Sequence, residues 1–73
     1  MSTDIHVGDR VKVLLESTFW KSEGWFEGTV VRIDPYSDHR SFYWVELDTE
    51  LESARGGRTN LVSVLNPSRI AKV

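Results

Sequence analysis

Gly24-Trp25-Phe26-Glu27-Gly28-Thr29-Val30-Val31-Arg32-Ile33 is the stretch whose reading decides the fold. Phe26, Gly28 and Val30 fall on one face of an extended chain, and Trp25, Glu27, Thr29 and Val31 on the other. Side chains alternate in a strand, so this period of two predicts a strand from Trp25 to Asp34. Ile33 is out of phase with Val30, which predicts a bulge near Val31-Arg32. Gly28 inside a strand marks a place where another backbone passes close by.

The flanking segments repeat the pattern. Ahead of it, Gly8-Asp9 signals a turn, and Arg10 to Leu15 alternates with Val11, Val13 and Leu15 on one side. Residues 16–24 read as a polar loop holding Phe19 and Trp20. Behind it, Asp34-Pro35-Tyr36-Ser37-Asp38 is a turn, because proline stops a strand from being extended. Ser41 to Asp48 is a third strand, with Tyr43, Val45 and Leu47 opposed to Phe42, Trp44 and Glu46. Thr49 to Gly57 reads as a polar loop closed by Gly56-Gly57. Arg58 to Leu65 is a fourth strand, Asn66-Pro67-Ser68-Arg69 a 3₁₀ turn, and Ile70 to Val73 a short last strand.

The expected architecture is all-β, with a polar lead-in over residues 1–7 and one barrel domain over residues 8–73. The expected core is Val11, Val13, Phe26, Val30, Ile33, Tyr43, Val45, Leu47, Val62, Val64 and Ile70. At 73 residues with no cysteine, the core must come from apolar packing alone, and 40% hydrophobic residues with three Trp supply it. A small core beside this many aromatic rings leads us to expect self-association, as a homodimer. No disulfide framework, thiolate metal site, signal segment or membrane span is written here, which is compatible with a cytoplasmic protein.

Order and residues together resemble an SH3-like barrel of the Tudor and agenet type. The matching pieces are Val7-Gly8-Asp9-Arg10-Val11-Lys12-Val13, Gly24 to Val30, Tyr43 to Leu47, and Asn66-Pro67-Ser68-Arg69-Ile70. The resemblance implies a five-stranded barrel with a 3₁₀ turn before the last strand. The photosystem I subunit PsaE is similar at Gly8 to Val13, Glu16 to Trp20 and Gly28 to Val30, and departs from the chain in its second half. Type II dihydrofolate reductases are similar at Gly8-Asp9-Arg10-Val11 and at the closing turn. Their pore carries a Val-Gln-Ile-Tyr run where Ser63-Val64-Leu65-Asn66 stands here, so the residues of that chemistry are missing.

Function is read from side-chain sets. Trp20, Trp25, Tyr36, Phe42 and Trp44 are the aromatic candidates. In a Tudor-like barrel such positions form a cage whose ring faces attract a methylated ammonium, with Glu27 or Glu46 as counter-charge. The same rings also serve to complete a small core or a subunit contact. Trp25 and Trp44 are expected on adjacent strands, forming one exposed strip that docks a protein or peptide. Arg55, Arg58, Arg69 and Lys72 make the last third basic and are the candidates for nucleic acid, by phosphate contacts with stacked bases. A net charge of −2 and the acidic run Glu46, Asp48, Glu50 and Glu52 argue for a solvated, ion-paired surface instead. His6 and His39 lie far apart, no metal-ligand spacing occurs, and there is no Gly-x-Ser-x-Gly elbow or phosphate-cradling loop. The expectation is a non-enzymatic binding module without cofactor or metal.

Overall fold

The computed structural model describes residues 5–16, 20, 23–53 and 55–73. The described chain is all-β, as expected. Five strands run β1 (Arg10–Leu15), β2 (Gly24–Pro35), β3 (Ser41–Glu52), β4 (Arg58–Val64) and β5 (Ile70–Lys72). One 3₁₀ turn, η1 (Pro67–Arg69), precedes β5. The strands form one antiparallel sheet in the order β4-β3-β2-β1-β5. No helix among the described residues is long and apolar enough to cross a membrane.

Alternation sets the two faces. Val11, Val13 and Leu15 of β1, Val30 of β2, Val45 and Leu47 of β3, Val62 and Val64 of β4 and Ile70 of β5 are all buried. The opposite positions are exposed or half-exposed, so every strand turns one face to a common interior. Phe26, Ile33 and Tyr43 pack against this core without being fully buried. Ile5, Leu15 and Leu51 join it as well. Ile5 lies in the lead-in and Leu51 in the segment expected to be a loop.

Two irregularities curl the sheet. Between Val30 and Arg32 the register with β3 shifts, leaving Val31 as an extra residue. This is the expected bulge, and it explains how both Val30 and Ile33 reach the interior. A second shift lies between Glu46 and Leu51 in the β3–β4 pairing. It lets β3 continue to Glu52, past the expected end at Asp48. The polar run from Thr49 reads as a loop, but it contains the buried Leu51, which holds the strand to the core.

Gly28 is buried at the crossing of β2 and β3. A Cβ there would lie 2.5 Å from the Glu46 carbonyl oxygen and 2.8 Å from Val45 Cγ1. Gly8 has φ +96°, which places it in the conformation that glycine adopts at least cost. Asn66 caps η1, its Oδ1 accepting from the Ser68 N–H at 2.9 Å.

Candidate functional site

The expected aromatic strip does not form. On β2, Trp44 has Arg32 as its partner, whereas Trp25 lies on the far side of Gly28, toward the other end of the strand. At about 3.3 Å per residue, on the order of 20 Å of strand separates the two rings. Antiparallel pairing carries residues that are distant along one strand to opposite ends of its neighbour, and adjacency of strands alone does not bring rings together.

The aromatic residues fall into three places. Trp25 is 47% exposed, and the Lys12 ammonium sits 5.0 Å from its ring centre. Tyr36 and Phe42 meet edge to face at 5.4 Å beside the β2–β3 turn. Trp20 and Trp44 line one groove. Among the described residues these five rings enclose no common cage. Phe19, placed with Trp20 in the sequence reading, lies outside the described residues.

The groove holds about 700 Å³, within the size range of ligand sites. Its position follows from the pairing. β4 is hydrogen-bonded to β3 on one side, and among the described residues it has no strand on the other. β5 pairs with Val11, Lys12 and Val13 of β1 only, so among the described residues the end of β1 also lacks a neighbouring strand on that side. Consecutive residues Leu61 to Asn66 and Leu14 to Glu16 line the groove. Consecutive residues point to opposite faces, so both can border a single cavity only along a strand's edge. The groove is therefore the gap where the curled sheet does not close.

Trp44 forms the outer lip. It faces outward between Arg32 of β2 and Ser63 of β4. Its indole N–H donates to Asp34 Oδ2 at 3.0 Å, and Arg32 Nε donates to Asp34 Oδ1 at 2.8 Å. The carboxylate thus orients the ring and is itself charge-balanced. A shallow depression bordered by Val31, Arg32, Trp44 and Leu61 continues from the groove onto the outer face. Trp20 is half-buried, held by an isolated bridge to Ser53 and packed against the core. At one end Arg69 of η1 pairs with Glu16, so the groove's own two charges offset each other.

Glu46 stands on the outer face of β3, between Thr29 and Leu61. It is exposed. Its neighbours along that face are engaged: Asp48 binds Arg10 through paired contacts of 2.9 and 2.5 Å, and Glu50 lies 3.7 Å from Arg58. The hydrogen bond from Arg10 holds the Asp48 carboxyl below its ordinary value, and that bond to Asp48 raises Arg10. Arg10 also reaches Glu27 at 3.7 Å.

Three of the four basic residues of the last third stand beside carboxylates. Arg58 faces Glu50, Arg69 faces Glu16, and Lys72 lies 3.4 Å from Asp9. Asp9 is lowered, first by the backbone N–H of His6 and then by Lys72. Arg55 is exposed in the turn between β3 and β4. Among the described residues no group of three or more His, Cys, Asp or Glu is placed to hold a metal ion.

Sequence reasoning missed the groove's aliphatic half, Leu14, Leu61 and Leu65, and the Asp34 carboxylate. One signal was present. Thr59 to Leu65 contains no charged residue, although free edges are commonly blunted with charge or proline. Compared with protein-family models, curated proteins and solved structures, the chain matches none of them.

Proposed function

We propose that this chain is a non-enzymatic binding module that takes one extended polypeptide segment into the gap between β4 and the end of β1. The observation that carries the reading is the coincidence of three features at one place. They are a strand edge that is unpaired among the described residues and uncharged from Thr59 to Leu65, a groove of about 700 Å³, and walls made by Trp20 and Trp44. Main-chain hydrogen bonds to a free edge supply affinity, and side-chain pockets on either face supply selectivity. The resemblance to Tudor and agenet barrels supports a binding role over catalysis.

The shape favours a single strand. Edges border the gap on both sides, so an inserted segment has β4 on one flank and Leu14 to Glu16 on the other. A second copy offering its own β4 would bring its β3 along behind, against the opposite wall. The test is titration of a fluorescently labelled peptide library of alternating apolar and polar residues, with Trp44→Ala and Leu61→Lys as variants. Both variants should stay folded and lose binding. Retained binding in both places the partner elsewhere, with the Trp25 and Tyr36–Phe42 surfaces next to be tested.

A further inference from the structure

Resting on that reading, we infer the chemistry of the segment. It carries a Lys or Arg and a large apolar residue two positions apart on its outward face, and an apolar residue between them on its inward face.

The inference follows from rows of side chains across the sheet. One outward row runs Thr29, Glu46, Leu61 and then the inserted strand. The next runs Arg32, Trp44, Ser63 and then the inserted strand. Residues on one strand that share a face are two apart, so the segment's outward residues beside Leu61 and Ser63 are two apart in either strand direction.

Beside Ser63 the wall is low. A short side chain separates the inserted strand from Trp44, whose indole is fixed by Asp34. A large apolar residue fills that notch and covers the ring face. Beside Leu61 the requirement is different. Glu46 lies two strands from the inserted residue, about 10 Å at the usual spacing. A long basic side chain can lie along Leu61, which is 43% exposed, and bring its charge to Glu46. Glu46 is the suitable anchor because the charges around it are matched: Arg10 with Asp48, Arg58 with Glu50, Arg32 with Asp34, and Arg69 with Glu16. The inward residue between the two meets Val62, which is buried, so it must be apolar and small.

The experiment uses the full chain and four blocked twelve-residue peptides that share flanking sequence. The first has a central Lys-Val-Leu, the second Glu-Val-Leu, and the third Lys-Val-Ser. The fourth is the first with alternate backbone nitrogens methylated. Binding is read by tryptophan fluorescence and by amide shifts of β4. The first peptide should bind about fivefold tighter than the second, the upper end for an exposed ion pair. Glu46→Lys should reverse that order, and the third peptide should bind more weakly than the first. Equal binding of the first two peptides to both proteins, with the methylated peptide still excluded, overturns the charge inference and leaves strand insertion standing. Undiminished binding of the methylated peptide, or no binding of any peptide, overturns strand insertion itself. A concentration-dependent dimer dispersed by Leu61→Lys puts a second copy on this edge and likewise overturns the inference.

Discussion

Asp34 and Trp44, on neighbouring strands, are joined by an indole-to-carboxylate hydrogen bond of 3.0 Å. The bulge at Val31 makes this pairing. It advances β2 by one residue, so that Arg32 and Asp34 both come outward beside Trp44.

Trp44→Phe keeps an apolar lip and removes the N–H donor. A hydrogen bond to a charged group at a half-exposed site contributes about 1 kcal/mol net. The variant should lose about that much in urea denaturation and bind groove peptides several-fold more weakly, because the ring is no longer oriented. Asp34→Asn should have a smaller effect of the same sign, since the amide oxygen still accepts.

Trp25→Ala removes a ring that does not itself line the groove, although it stands across from Leu14, which does. Its ring is half-exposed, and the Lys12 contact is an exposed cation–π pair. Such a pair contributes about 0.5–1 kcal/mol. With the packing of the buried half of the ring added, thermal melting should show a loss of about 1–3 kcal/mol, and groove peptides should bind only slightly more weakly than to the parent. A loss of binding as large as that of Trp44→Ala would show that the partner also reaches Trp25.

Gly28→Val tests the crossing of β2 and β3. The added Cβ meets backbone atoms of Glu46 and Leu47 as well as the Val45 side chain. Backbone cannot turn aside as a side chain can. A cost of about 1–3 kcal/mol or more is expected, the scale of overpacking. An unchanged denaturant midpoint would contradict the register.

Acid should weaken the fold through Asp48 and Asp9. Both carboxyls are held below their ordinary value of 3.8, Asp48 chiefly by Arg10 and Asp9 chiefly by the His6 N–H. The unfolded chain therefore binds protons more readily than the folded one. The contribution to stability is present above the unfolded value and is lost as pH falls from there through the folded value. Arg10→Gln should flatten this part of the pH dependence. Carboxyl NMR titration should show Asp48 moving up toward 3.8 in that variant while Asp9 stays low.

Alternation and turn residues were legible from sequence because they act locally. Val11, Val13, Val30, Val45, Val62 and Val64 were assigned to the interior and are buried there. The bulge at Val31 was legible because Val30 and Ile33 cannot both face inward without an extra residue. The continuation of β3 to Glu52 was not, since its charged residues mask the one buried Leu51. The site was less legible still. Whether Trp25 meets Trp44 depends on register between strands, and period two is the same in every register. That Trp44, Leu61 and Leu14 border one gap depends on where the sheet fails to close. Local sequence determines which residues point inward on each strand. Only the tertiary structure decides which strand ends have no neighbour, because that depends on how the whole sheet curls and on where β5 stops pairing with β1.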